Sequence, residues 1–449
     1  MANALTDLKE ILEHVDLGRL VALARRVDVS KLLKTLASLQ PDDVNRLLAA
    51  THASRRDRPL PAPNGDFYDL ASLLPPDEQA IRARVREFMA REVAPIANDF
   101  WLRGEFPRHL IPQFAELDIA GLTFKGHGFP GRSWLLEGMI AEEIARVDVS
   151  TSTFFGVQSG LAMGSIYLCG SDEQKSLYLP KMRRFELLGA FGLTEPNVGS
   201  GVAGGLETTC RRDGDTWVLN GQKKWIGNAT FSDFTIVWAR DLGDQKVKGF
   251  IVDRETPGFV ARKIEDKMAL RTVQNAEITL TDCRVPERKR LANASSFKDT
   301  SNVLRMTRAG VAWQAVGCAR GAYEHTIKYV QKREQFGRPI GAFQLVQDLV
   351  AHMLSQLTAM QTMVARLSQL QDAGRLTDEH ASLAKVFCTS GCREVVSQAR
   401  ELHGGNGILL SYEVARFVAD SEALYSYEGT KQVNALIVGR AVTGFSAFV

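Results

Sequence analysis

No apolar run in these 449 residues reaches the roughly 18 residues that a membrane-crossing helix requires. Charge of one sign is equally scarce. Lys and Arg number 55 against 52 Asp and Glu, a formal net charge of +3, so no global field points to nucleic acid or an anionic membrane. The six cysteines (169, 210, 283, 318, 388 and 392) are scattered and form neither a disulfide framework nor metal-type pairs. Cys388 and Cys392 sit one helical turn apart in an apolar pattern, and reduced core cysteines are the expectation. The eight histidines do not cluster, and repeats and low-complexity segments are absent. Asp7, Lys9, Glu10, Glu13 and Asp16 interrupt the N-terminal apolar positions, which excludes a secretory h-region and argues against a mitochondrial leader. Ser446-Ala447-Phe448-Val449 is not a peroxisomal signal. These absences lead to the expectation of a metal-free, cytoplasmic protein.

What is present is ordinary for a soluble chain: 45% hydrophobic and 24% charged residues, and length for two or three domains. Residues 1–58 show short amphipathic helical patterns, with Ser30 and Pro41 as helix starts. The Pro-rich stretch from Arg58 to Gly65 reads as a linker. Pro76-Asp77-Glu78 opens a helix carrying Ile81, Val85, Phe88 and Met89, and a second helix carries Leu135, Met139, Ile140 and Ile144. Near residue 190 the period falls to two. Thr216-Trp-Val-Leu219 leads into Asn220-Gly221, read as a hairpin turn, and alternating runs follow at 234–239, 249–252 and 276–281. Helical spacing returns from about 303, with one long stripe from Leu345 to Leu367 and further patterns over 377–402, 412–422 and 431–446. The expected fold is mainly α with a central β domain. It divides into an appendage and linker at 1–66, a helical domain at 67–190, a small β-barrel domain at 191–300 and a helical bundle at 301–449.

Two glycine-rich segments carry no chemistry on this reading. Gly126-His-Gly-Phe-Pro-Gly131 matches a dinucleotide fingerprint, but no buried strand precedes it and Pro130 stands where a helix should start, so it is a turn. Gly156-Val-Gln-Ser-Gly160 lacks the spacing of a nucleophile elbow and reads as core or loop packing. Five other segments are informative: Phe191-Gly-Leu-Thr-Glu-Pro-Asn-Val-Gly-Ser200, Trp225-Ile-Gly-Asn228, Arg333-Glu-Gln-Phe-Gly337, His403-Gly-Gly-Asn-Gly407 and Tyr427-Glu-Gly-Thr430. The first is a hydroxyl- and glycine-rich loop whose N–H groups and Thr194 suit a polar ring edge or phosphate. Trp225 offers a flat surface, Arg333 a bidentate cation, and Gly404 and Gly405 close backbone approach.

In this order and spacing, the five motifs over residues 70–449 resemble the acyl-CoA dehydrogenase/oxidase family. Leu74-Pro-Pro-Asp-Glu-Gln-Ala-Ile81, Trp225-Ile-Gly-Asn-Ala-Thr230, Met268-Ala-Leu-Arg-Thr-Val-Gln-Asn275 and Asp299-Thr-Ser301 look closest to plant peroxisomal short-chain acyl-CoA oxidases, with glutaryl-CoA dehydrogenases next. The resemblance implies a bound FAD, an acyl-CoA substrate and desaturation between Cα and Cβ, the β-hydrogen leaving as hydride to flavin N5. Glu428 matches the base that removes the α-proton. Phe191, Leu193, Thr194, Trp225 and Ile226 match flavin contacts. Arg333, Phe336 and Gln344, with Gly404, Gly405, Thr430 and Gln432, match contacts to the FAD of a neighbouring subunit, implying a dimer or homotetramer. Ser200 and Arg308 match CoA contacts, Gly429 adjoins the base, and Ser152 lies by the acyl chain. Some relatives place the base elsewhere, but the matching position is Thr307, which cannot serve.

Three departures shape the expectation. Gly201 follows Ser200 where an aspartate is common. Gly227 replaces a hydroxyl residue that bonds flavin N5. The positions that hold a distal carboxylate in glutaryl-CoA enzymes are Ser152 and Gly156, which points to a neutral short or medium chain. An electron-transferring flavoprotein is the expected oxidant, in fatty acid metabolism. The rivals are oxygen as oxidant, a substrate carried on acyl-carrier protein and docked through 1–58, and a non-catalytic scaffold, against which the intact Glu428 argues.

Overall fold

The computed structural model describes residues 59–447; the helices expected within 1–58 lie outside the described residues. Helix α1 (Pro76–Phe88) starts with Pro at its first position and Asp77 and Glu78 in its first turn, where free N–H groups favour negative charge. Then come α2 (Ala97–Arg103), α3 (Leu110–Leu117), α4 (Trp134–Ala145), α5 (Val149–Phe155), α6 (Met163–Cys169) and α7 (Asp172–Arg183). Ser133 caps α4 by accepting from the Leu136 N–H at 3.0 Å, and Asp148 caps α5 by accepting from the Thr151 N–H at 2.7 Å. Between α5 and α6 the helix widens to a π turn over Gly156–Ala162. Gly126 and Phe129 pair in a two-residue hairpin, in line with a turn rather than a nucleotide loop.

Seven strands form the central sheet: β1 (Gly189–Gly192), β2 (Thr209–Asp213), β3 (Thr216–Ile226), β4 (Phe234–Asp241), β5 (Val247–Asp253), β6 (Phe259–Lys263) and β7 (Ala276–Pro286). β4 pairs with β1 and β2 in parallel and with β5 antiparallel, while β2–β3–β7–β6 is an antiparallel run. The sheet curls around its own core. Alternation along β4 sends Val237 and Ala239 into that inner core and Ile236 and Trp238 outward onto the helices.

The Asn220-Gly221 hairpin expectation is corrected here, because β3 runs straight through it. Its pairing with β7 resumes after a register shift between Leu219 and Gly221. Asn220 and Asp282 exchange hydrogen bonds of 3.0 and 2.8 Å across the pair, and a Cβ on Gly221 would stand 2.6 Å from the Thr208 Cα. The dipeptide is a bulge pressed against backbone. The turn from β2 to β3 lies instead at Gly214, at φ 61°.

Helix α8 (Phe297–Lys332) begins earlier than the expected residue 303 because Asp299 accepts from the Ser295 and Ser296 N–H groups at 2.9 and 3.0 Å. α9 (Gln344–Asp372), α10 (Asp378–Leu402), α11 (Val414–Ser426) and α12 (Lys431–Thr443) complete the bundle. α10 packs against all four of the others. Glycines set how α8 meets α4. A Cβ on Gly138 would lie 2.1 Å from the Trp313 ring, one on Gly317 2.4 Å from the Glu142 carbonyl oxygen, and one on Gly321 2.2 Å from that of Arg146. The two helices therefore run in step at four-residue intervals, main chain close to main chain.

Candidate active site

A cavity of about 710 Å³ lies where α4, the π turn, α8, the sheet and the α11–α12 connection converge. The connection is Tyr427-Glu428-Gly429. Glu428 sits at φ 56°, a left-handed backbone that glutamate rarely adopts, and Gly429 at φ 85°. Thr430 caps α12, its hydroxyl accepting from the Val433 N–H at 3.3 Å. The Gly429 carbonyl accepts from Lys385 Nζ at 2.7 Å and Asn434 Nδ2 at 2.8 Å. Before the turn, the Tyr427 hydroxyl donates to Gln314 Oε1 at 2.5 Å, and Gln314 Nε2 donates to the Ser152 carbonyl at 3.1 Å. The strained residue is thus anchored on both sides.

The Glu428 carboxylate accepts from the Thr307 hydroxyl at 3.2 Å, two residues 121 positions apart. Burial pushes its pKa above the ordinary carboxylate range, while Arg308, the Thr307 bond and Lys385 pull it back. Lys385 is itself buried on α10, and burial lowers its pKa to about 8 against the opposing pull of Glu428. Arg308 also faces the cavity, and its buried Nε has no protein partner among the described residues.

The sheet supplies the opposite wall. Lys223 on β3 donates to Glu195 at 2.7 Å and to the Leu193 carbonyl at 3.0 Å. Glu195 in turn accepts from the N–H groups of Glu207 and Thr208 at 2.6 and 2.9 Å. Burial draws Lys223 down to about 8, opposed by Glu195. Thr194 donates to the Lys224 carbonyl at 2.6 Å, so the 191–195 loop is fastened to the end of β3. Trp225 follows at φ 66°, with its ring 55% exposed. Its carbonyl accepts from Asn275 Nδ2 at 3.2 Å, and Asn275 Oδ1 accepts from Lys267 Nζ at 2.6 Å. Leu270, nearby on the cavity wall, is pinned by its N–H to Asp420 Oδ1 at 2.6 Å.

Among the candidates from sequence, Phe191, Leu193, Thr194, Trp225, Ile226 and Thr430 line this cavity, as do Ser152, Ser200, Arg308, Glu428 and Gly429. Arg333, Phe336, Gln344, Gly404, Gly405 and Gln432 do not; all six are exposed. Arg333 caps the far end of α8, about 40 Å from Thr307 at roughly 1.5 Å rise per residue. The glycine loop joins it there, with Tyr329 stacked on His403 at 4.1 Å and its hydroxyl accepting from Asn406 at 3.1 Å.

Sequence reasoning missed several residues. Ser159 and Gly160, read as packing, line the cavity through the π turn, a distortion common at functional sites, as does Gly156, which the resemblance had matched to a carboxylate-holding position of glutaryl-CoA enzymes. Gln314 and Lys267 also line it, and Lys385 stands behind it. Lys385 had a signal: a lysine at an apolar helical position between Ala384 and Cys388.

Comparison with known proteins agrees with this architecture. Family models for the N-terminal, middle and C-terminal domains of acyl-CoA dehydrogenase match residues 75–186, 190–283 and 297–443. The chain belongs to the acyl-CoA dehydrogenase family. The family's members are oxidoreductases acting on CH–CH groups. A probable acyl-CoA dehydrogenase of Bacillus subtilis, YngJ, is 33% identical over 370 residues, covering 81% of this chain and 97% of the relative. The crystal structure of glutaryl-CoA dehydrogenase from Mycobacterium smegmatis is 37% identical, with TM-score 0.83, covering 87% of this chain and all of that one. A second structure of a glutaryl-CoA dehydrogenase from that organism is a complex with FADH2, 34% identical with the same coverage and TM-score. Among the described residues, no helix of this family member is long and apolar enough to cross a membrane.

Proposed function

We propose that this acyl-CoA dehydrogenase family member desaturates a neutral short- or medium-chain acyl-CoA between Cα and Cβ, with Glu428 as the α-proton base. The observation that carries the reading is Glu428 itself. It is a carboxylate in strained backbone on a cavity wall, its proton affinity raised by burial and its position fixed by Thr307 and by the anchored turn. Burial brings its proton affinity toward that of a thioester Cα–H, and Arg308, the Thr307 bond and Lys385 limit the rise.

The cofactor is FAD. The residues fit it on two grounds: Trp225 holds a broad ring over the cavity from a left-handed backbone, and the 191–195 loop beside it is locked by the buried Lys223–Glu195 pair. FAD, when bound, supplies the two-electron acceptor for the β-hydrogen. The Glu428 N–H, on the positive-φ turn, is the chain's own donor for a thioester oxygen. Arg308, with its unpartnered Nε, is free to meet a phosphate or carbonyl of CoA, and Ser200 lies on the same cavity.

The exposed group at Arg333, Phe336, Gln344, Gly404 and Gly405, around the far end of α8, supports a site shared between subunits, because one chain cannot bring it to Glu428 across some 40 Å; Gln432, four positions after Glu428, joins them on the resemblance alone. A dimer or homotetramer follows. The functional division runs 67–190, 191–300 and 301–449, with residues 1–66 apart. Six buried, unpaired cysteines fit a reducing, cytoplasmic setting. An electron-transferring flavoprotein is the proposed electron acceptor, in fatty acid metabolism. Gly227 favours a second reading, the oxidase suggested by the resemblance to plant short-chain enzymes. It lines the cavity where a hydroxyl side chain is common in dehydrogenases.

Anaerobic mixing with butyryl-CoA is expected to bleach the flavin. Glu428→Gln is expected to slow bleaching by about 10³-fold while the protein stays yellow. Unchanged bleaching in the variant rejects Glu428 as the base. Rapid recolouring on readmitting air selects the oxidase.

A further inference from the structure

Glu137 is a cavity-lining carboxyl that the proposed chemistry does not use. It projects from α4 onto the cavity wall. No hydrogen bond or ion pair reaches its carboxyl from any described residue, and Oε2 is buried without a partner. Burial alone, with no charged neighbour contributing, pushes its pKa up to about 7. An unpartnered carboxyl in a low-dielectric wall is costly to keep, and such groups in folded proteins nearly always have a partner. Here the open side is the cavity itself.

Its place along the cavity follows from contacts already described. Tyr427, beside the base, donates to Gln314; Gln314 donates to the Ser152 carbonyl; and the Ser152 hydroxyl donates to the Ala141 carbonyl at 3.3 Å. Glu137 precedes Ala141 by one helical turn, about 6 Å along the axis. The glycine register agrees. Thr307, which meets Glu428, lies against Gly160, whereas Gly138, next to Glu137, lies against Trp313 six residues further along α8. Glu137 therefore stands beyond Ser152 from the base, on the acyl side. Neither basic residue lining the cavity pairs with Glu137: Lys267 donates to the Leu270 and Val273 carbonyls and to Asn275, and no bond or charge effect links Arg308 to Glu137.

We propose that Glu137 is a specificity-determining residue that accepts a hydrogen bond from a donor, a hydroxyl or an ammonium, carried on the distal part of the acyl chain. The inference rests on the reading of the cavity as an acyl-CoA site. It refines the neutral-chain expectation. A distal carboxylate is repelled, a plain alkyl end leaves Glu137 unpaired, and a donor-bearing end satisfies it.

The test uses the FAD-loaded enzyme and acyl-CoAs of matched length ending in methyl, hydroxyl or ammonium, with kcat/KM measured for wild type, Glu137→Gln and Glu137→Leu. Retained flavin absorbance shows that each variant is folded. Wild type is expected to favour a hydroxyl- or ammonium-ended chain over its methyl counterpart by about tenfold. Glu137→Leu is expected to reverse that preference. Glu137→Gln is expected to keep a hydroxyl preference, if that is the native donor, and to lose an ammonium preference, which separates the two. A wild-type preference for methyl ends, or the same ratio in wild type and Glu137→Leu, overturns the proposal while leaving the dehydrogenase reading intact. Failure of every chain to bleach the flavin overturns both.

Discussion

The two ends of α8 offer the sharpest contrast in the molecule. At Thr307 the helix is half-buried, meets Glu428 and faces a cavity; at Arg333 it ends in an exposed hairpin where Phe336 is 92% exposed. Both ends carry family-type motifs, yet only the first forms an enclosed site within one chain. One chain thus encloses the proposed base at Glu428, while the matched cofactor contacts near Arg333 stay exposed. The near end is built by burial. The far end is exposed.

The largest expected effect tests that contrast directly. Glu428→Gln and Arg333→Ala are each expected to be nearly inactive as pure proteins. Coexpressed in one oligomer, they should recover roughly a quarter of wild-type activity, since one site in each mixed pair receives both intact halves. No recovery above the pure variants breaks the shared-site reading.

At the near end, Asp420 holds Leu270 and Trp101 while burial raises its pKa to about 7 from 3.8. A raised folded-state pKa means its stabilisation is full below about pH 4 and lost as pH rises through 7. Asp420→Asn should remove that slope. Its unfolding free energy from urea titration should then gain on wild type between pH 4 and 8, by up to about 4 kcal/mol. A constant difference across that range sinks the assignment.

Between the two ends, Gly317→Ala forces a methyl onto the Glu142 carbonyl and is expected to cost about 2 kcal/mol in unfolding free energy. Gly439→Ala on α12, with nothing within 4 Å of its Cβ, serves as the control and should not destabilise the chain. Equal behaviour of the two argues against tight helix contact at the middle of α8. The smallest effect is at Lys385. Lys385→Met removes a charge that lowers the Glu428 pKa, so that pKa should rise and the acid limb of the kcat profile move to higher pH, with kcat down about tenfold. A fall in kcat with an unmoved limb leaves Lys385 a structural role only.

Much of this was legible in advance, and the exceptions have physical causes. The helix start at Pro76, the helix carrying Leu135 to Ile144 and the alternating run at 276–281 were read from local capping and periodicity, and the strand runs on to Pro286. Asn220-Gly221 misled because a bulge and a turn demand the same two residues; what separates them is the uninterrupted β7 partner some 60 positions away. Gly156–Ala162 hid its role because a π turn has no local spelling, only a wider hydrogen-bond ring held by Gln158, which bonds the Met182 and Leu187 carbonyls and the Gly189 N–H. Glu428 was found by motif, but its hydroxyl partner Thr307 was set aside as unable to be a base, and its proximity is a tertiary fact. Glu137 had no motif. A lone acid in a helix is usually solvated, and only packing tells that one oxygen of this carboxyl is buried without a partner.

Where Gly317 and Gly321 of α8 meet the Glu142 and Arg146 carbonyls, backbone abuts backbone, so no rotamer change can widen the gap there. The breadth of the cavity is consequently a property of the scaffold and hard to alter by mutation. Its chemical lining is made by ordinary side chains such as Glu137, which can be exchanged one at a time. Variation among enzymes built on this frame should therefore fall on the side chains that line the cavity.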